Sequence, residues 1–107
     1  MFKMYNTNII TNVTEETTEF TRGNWINMVS PSDEEIKTVC ENVNIQEDFI
    51  RYALDSEEKA RIDIEEDDGT ILFIIDTPII DIESGAKVYS TMPIGVIFVR
   101  DDYIITV

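Results

Sequence analysis

The stretch Asp68-Gly69-Thr70-Ile71-Leu72-Phe73-Ile74-Ile75-Asp76-Thr77-Pro78 decides how this chain folds. Its middle five residues are apolar without interruption, rich in Ile, and bounded by a turn signal on each side, which reads as a strand and not a short buried helix. Alternation would leave one face wet, so the unbroken run predicts a central strand covered on both faces. Ile94 to Val99, with Gly95 inside it, and Tyr103 to Val107 have the same character and are expected as its sheet neighbours. A sheet buried twice needs helices on both sides, yet only the region from Ser32 to Asp55 has helical periodicity. The expected fold class is therefore α/β (α+β), a mixed β-sheet with helices packed on it and a second helical layer missing by truncation. Val107 lies inside an apolar strand, so the chain is expected to be the first part of a longer protein.

Residues 1–107 allow one domain. Lys and Arg total 8 against 22 Asp and Glu, a net charge of −14, which disfavours binding a nucleic-acid backbone and favours cations or basic partners. A solvated acidic surface accounts for the same count. There is no histidine, which removes histidine metal sites and the Ser-His-Asp and Cys-His mechanisms together. Cys40 is the only cysteine, so no intrachain disulfide forms, and with no signal-peptide pattern after Met1 the expected compartment is the reducing cytosol. No apolar run approaches the roughly 18 to 20 residues that cross a bilayer, so direct membrane insertion by this segment is not expected.

Taken in order, Phe2 to Tyr5 opens as a short strand, and Asn6-Thr7-Asn8 turns it toward a second one beginning at Ile9-Ile10. Thr content makes Thr11 to Thr21 an edge hairpin. Trp25 to Val29 is a mostly apolar strand ended by Ser30-Pro31. Ser32-Asp33-Glu34-Glu35 has the form of a capping box, and Ile36, Val39, Cys40 and Val43 then form one helical stripe. Cys40 is thus a core thiol. Asn44-Ile45 breaks the helix, and a second from Gln46 to Leu54 turns Phe49, Ile50, Ala53 and Leu54 inward. From Lys59 the period becomes two, with Ala60, Ile62 and Ile64 against Arg61, Asp63 and Glu65, a half-exposed strand. Turns are expected at Asp68-Gly69, Glu83-Ser84-Gly85 and Asp101-Asp102.

The densest carboxylate cluster is Glu65-Glu66-Asp67-Asp68, with Asp63 nearby. It is no helix-loop-helix calcium loop, because counting from Asp63 puts Asp68 where Gly is needed and Ile74 where Glu is needed. Four scattered glycines make no phosphate-cradling loop. No residue set stands out as catalytic, and the chain is not expected to be an enzyme.

A family resemblance rests on these residues. Trp25-Ile26-Asn27-Met28-Val29-Ser30-Pro31 followed by Glu34-Glu35-Ile36 resembles the entry to the first helix in the N-terminal cytoplasmic domain of CorA-like magnesium transporters. Phe49-Ile50, Ala53-Leu54-Asp55 and Arg61-Ile62-Asp63 are similar to the family's second helix and following strand, and Pro93 to Ile97 with Tyr103 to Val107 to its later strands. The resemblance implies an α/β/α sandwich on the cytoplasmic side of the membrane, a homo-oligomer that is a pentamer in the full-length protein, and Mg²⁺ or Co²⁺ passing through a pore outside this chain. Tyr52 stands where the family has an acidic residue implicated in Mg²⁺ sensing between subunits. Asp48 and Asp55, at i−4 and i+3 from it, are the candidate regulatory Mg²⁺ ligands.

Two other readings stand beside this one. A self-contained acidic module would bind a basic protein and have no transport role. A carboxylate-based metal enzyme would need convergent acids in a pocket.

Overall fold

A computed structural model describes residues 1–107. Seven strands and two helices follow in the order β1 (Phe2–Asn8), β2 (Val13–Thr17), β3 (Asn24–Met28), α1 (Asp33–Val43), α2 (Glu47–Leu54), β4 (Arg61–Ile64), β5 (Ile71–Glu83), β6 (Ala86–Val99) and β7 (Tyr103–Thr106). They form one mixed sheet in the order β2-β1-β3-β7-β6-β5-β4. The β3–β7 pair is parallel, with Ile26 beside Ile105, and every other pair is antiparallel. The α+β class expected from the sequence is the one observed.

Local chemistry places the helices. The Ser32 hydroxyl accepts the Glu35 amide proton at 3.2 Å, and the Ser32 N–H donates to Glu35 Oε1 at 3.0 Å. At the other end Asn44 takes a left-handed conformation (φ 59°) and its N–H donates to the Cys40 carbonyl. The last turn of α1 contains no basic residue, but Arg100, from the β6–β7 turn, donates to the Val43 carbonyl at 2.8 Å. A cation thus sits at the negative end of the helix. Leu54, expected inside, is exposed, because α2 ends there and Asp55 is already extended.

One core holds the fold. Ile36, Val39, Cys40 and Val43 of α1 and Phe49 and Ile50 of α2 pack with Met4, Ile26, Met28, Leu72, Ile74, Ile97, Val99 and Ile105 of the sheet. These sheet positions lie on a single face, as the register shows: Ile26 pairs with Met4 and Ile105, and Ile97 pairs with Leu72 and Ile105. Both helices therefore cover the same side.

Three expectations are corrected here. The run Ile71–Ile75 is not central and is covered on one face only: Leu72 and Ile74 are buried, whereas Ile75 is 51% exposed. Its strand is second from one edge, and the middle place belongs to β7, which pairs with β6 and β3 and not with β5. An unbroken apolar run records the chemistry of both faces, but not whether both find a partner. Second, Ile62 and Ile64 lie on the uncovered face, and Arg61 and Asp63 on the helix side, because Asp63 pairs with the buried Leu72. The Arg61 guanidinium stacks 4.9 Å from the Tyr52 ring centroid and pairs with Glu58 at 2.8 Å, so its charge is met on that side. Third, Asn6 to Asn8, expected as a turn, belong to β1, and Ile9 and Ile10 form the turn and not a strand: the Asn8 side chain accepts from the Ile10 N–H at 2.9 Å and the Thr11 N–H at 3.2 Å. The edge strand starts at Val13.

Candidate functional site

The uncovered face of the sheet is the most distinctive surface. Following the register, Tyr5, Trp25, Ile104, Phe98, Ile71 and Ile64 form a continuous row across six strands. A second row holds Val96, Phe73 and Ile62, and a third Ile75 and Ile94. Aromatic contacts order these side chains: Tyr5 lies 5.0 Å from Trp25, and Phe73 meets Phe98 edge-on at 5.5 Å between centroids. The Trp25 indole is paired within the face. Trp25 Nε1–H donates to Thr106 Oγ1 at 2.8 Å, and the Thr106 hydroxyl donates to Asn27 Oδ1 at 2.8 Å. An apolar surface of this breadth, with its indole N–H already paired, is chemically suited to being covered.

Beyond the sheet body, β5 and β6 continue as a two-stranded arm. Asp76 to Glu83 pairs with Ala86 to Pro93, while β4 and β7 pair only with the parts nearer the core. Ser84 (φ 51°) and Gly85 (φ 80°) make its tip, both left-handed as a two-residue hairpin requires. The arm carries Ile80, Ile82, Val88 and Tyr89 exposed. At its root lies an apolar cavity of about 530 Å³ lined by Val29, Leu54, Met92, Pro93, Ile94 and Val107, among others.

The candidate metal residues take different places. Asp48 lines a cleft of about 240 Å³ between α2 and β4, together with Tyr52, Asp63 and Glu65. Asp55 follows the helix and its carboxylate accepts the Glu57 amide proton at 2.9 Å. Nowhere in the chain do three or more His, Cys, Asp or Glu side chains converge as a metal site. The Asp68 carboxylate is held below its ordinary range chiefly by the Thr70 N–H, which donates to it at 2.9 Å. It thereby fixes the β4–β5 turn, with Gly69 at φ 76°.

Glu35 and Cys40 have the largest displacements of acidity. The Ser32 N–H, and after it the Met1 ammonium 3.0 Å away, lower the Glu35 carboxyl to about 2. Burial, and after it the Glu47 charge, raises the Cys40 thiol to about 11, the behaviour of a core residue and not of a nucleophile.

Sequence reasoning missed Asn24, which is buried at the start of β3. Its amide donates to the Glu19 carbonyl at 2.7 Å, and its Oδ1 accepts from Asn6 and Thr21, so it ties the β2–β3 connection to β1. Its place after Arg22-Gly23 signals a turn, and only the distant partners mark it as a structural hub.

No protein-family model matches the chain, and no curated protein matches it by sequence. Solved structures do match. The complete structure of the CorA magnesium transporter from Methanocaldococcus jannaschii superposes with a TM-score of 0.71 and 23% identity, covering 99% of this chain and 31% of that one. The soluble domain of CorA from the same organism gives a TM-score of 0.76 and 21% identity, covering 99% of this chain and 39% of that one. The chain thus spans well under half the length of the proteins it matches. No helix is long and apolar enough to cross a membrane. With its seven-stranded mixed sheet and two helices, this chain has the fold of the amino-acid stretch it matches in the CorA soluble domain.

Proposed function

We propose that this chain is a cytoplasmic regulatory and assembly domain of a CorA-like Mg²⁺/Co²⁺ transporter, the pore lying outside it. The observation that carries this reading is the open apolar sheet face on a fold shared with the CorA soluble domain over 99% of the chain. Helices laid across the row from Tyr5 to Ile64 would complete an α/β/α sandwich. The domain is non-catalytic, and its partners are the other copies of itself in a pentamer of the full-length protein, and divalent cations.

Carboxylate oxygens are the donors that suit Mg²⁺, which keeps several of its waters and needs few protein ligands. Asp48 and Asp55 are the proposed regulatory ligands. Since no three acids converge within one chain, they would act as one half of a site shared between copies. Two carboxylates about 6 Å apart across such a contact repel by roughly 3 kcal/mol at an effective dielectric of 20. A bound divalent cation relieves this repulsion and favours the closed assembly.

Titrating MgCl₂ against NaCl of matched ionic strength tests the regulatory part. The expected result is a higher melting temperature or a larger assembly with Mg²⁺ alone, diminished in Asp48→Asn. If the two salts coincide, Mg²⁺ sensing by this chain is refuted. Reading the coding sequence downstream of Val107 tests the domain assignment: helical sequence ending in two apolar runs of about 20 residues supports it. An immediate stop codon leaves the self-contained acidic interaction module.

A further inference from the structure

The α2–β4 cleft meets a cation that belongs to the chain itself. Arg61 pairs with the buried Ile74 and Asp63 with the buried Leu72, so both side chains stand on the helix side of the sheet. The Arg61 guanidinium lies 4.9 Å from the centroid of the Tyr52 ring, its Nη1 is 2.8 Å from Glu58 Oε2, and its Nε is 3.0 Å from Asp63 Oδ2. Tyr52 and Asp63, both held by Arg61, line the cleft together with Asp48 and Glu65. Three carboxylates therefore share the cleft, and Arg61 is the one cation paired with any of them.

The hold of Arg61 is incomplete. Its Nε is closed off from solvent, yet the N–H makes no hydrogen bond: Asp63 Oδ2 is near enough for an ion pair, but the N–H is not turned toward it. A buried donor without an acceptor weakens the arrangement that buries it. The rest of the side chain reaches solvent, at 36% exposure, and neither Arg61 nor Tyr52 belongs to the core cluster. Swinging the guanidinium out to water thus leaves the core packed.

We propose that Arg61 is a built-in competitor for this cleft: stacked on Tyr52 and paired with Asp63, its guanidinium holds the cleft against a divalent cation, and binding of the cation releases it. This rests on the proposed reading of Asp48 as a regulatory Mg²⁺ ligand and names what regulates that site. The side chain has two states, and the ion favours the released one, because two positive charges in contact with one carboxylate repel each other. The coupling is reciprocal: the ion loosens Arg61 by the factor by which Arg61 weakens the ion. An exposed cation–π contact and two exposed ion pairs bias the side chain toward the stacked state about tenfold, which lowers the apparent affinity for the ion by the same factor. Arg61 thus sets the concentration at which the cation acts. The contact lies within one chain, so it operates in every copy of a ring alike.

The test is a titration of the whole chain with MgCl₂, NaCl being exchanged to hold the ionic strength constant. Magnetic resonance follows the amides of Asp48 and Asp63, the Tyr52 ring and the Arg61 Nε–H. In the wild type the Tyr52 and Arg61 signals should move along the same binding curve as the two amides. Arg61→Met keeps the apolar stem, removes the charge and should tighten Mg²⁺ binding about tenfold. Tyr52→Leu leaves every charge in place and should also tighten it, by a smaller factor, which a change in bulk electrostatics would not do. Lys59→Met removes an exposed charge two residues away and should leave the affinity unchanged. Mg²⁺ binding that appears only when Arg61 is replaced also supports the competition. Equal affinity in the wild type, Arg61→Met and Tyr52→Leu overturns it and leaves the regulatory reading of Asp48 standing, as does an equal gain in Lys59→Met and Arg61→Met. A chain that ignores Mg²⁺ in every variant refutes that reading and the competition with it.

Discussion

Gly95 of β6 and Ala53 of α2 lie so close that a Cβ on residue 95 would overlap the Ala53 methyl. The next neighbours, the Ala53 Cα at 3.6 Å and Leu72 Cδ1 at 3.8 Å, are in ordinary contact, so the obstacle is the Ala53 methyl, which is fixed to the helix backbone and cannot swing aside as a long side chain could. This contact lets α2 sit down on the sheet. Gly95→Ala should destabilise the chain by about 1 to 3 kcal/mol, the usual cost of overpacking, and the pair Gly95→Ala with Ala53→Gly should recover part of it. Urea unfolding midpoints measure both; equal stability of Gly95→Ala and the wild type would refute the close approach.

The one-faced core makes a second prediction. Ile26 is fully buried and Ile75 is half exposed on the open face. Ile26→Ala should cost about 2 to 5 kcal/mol. Ile75→Ser should change stability by no more than about 0.5 kcal/mol. A large loss from Ile75→Ser in the isolated chain would mean that the second face is covered after all.

Glu35 gives the chain a defined acid response. Its folded value, about 2, lies below its ordinary 4.5, so its stabilising contribution is complete above about 4.5 and disappears as pH falls toward 2. Glu35→Gln should remove this component, leaving a shallower dependence of melting temperature on pH between those limits. Acetylating the Met1 amine should act in the same direction by a smaller amount, since the Ser32 N–H is the larger cause. Identical acid slopes for the wild type and Glu35→Gln would contradict the capping geometry.

The Cys40 thiol, buried and raised to about 11, should react with a disulfide reagent at neutral pH only as fast as the chain opens. In denaturant it should react at once. Rapid labelling of the native protein would show that α1 is not seated on the sheet.

Much of this fold is legible wherever the determining partners are close in sequence. Ser32 to Glu35, the stripe Ile36-Val39-Cys40-Val43, the break at Asn44 and the tips at Gly69 and Gly85 each follow from a few neighbouring residues, because capping, helical periodicity and positive φ are local matters. Asp48 and Asp55 were likewise readable as acids spaced along a helix, but α2 ends before Asp55, which turns its carboxylate to the Glu57 amide.

By itself, the sequence determined both helices, most of the strands, the tips at Gly69 and Gly85, the core stripe of α1 and the acidic, histidine-free character that excludes whole classes of chemistry, but not the first turn or the exposure of Leu54. Only the tertiary structure decided the strand order, with β3 and β7 joined in parallel at the centre, the inward turn of Arg61 and Asp63, and the capping of α1 by Arg100. It also decided that both helices share one face. The reason is physical: pairing between residues as far apart as Trp25 and Ile104 is chosen by the total surface that the whole chain can bury. An apolar strand states only that it will bury whatever it can, while the number of helices available decides how many of its faces are covered.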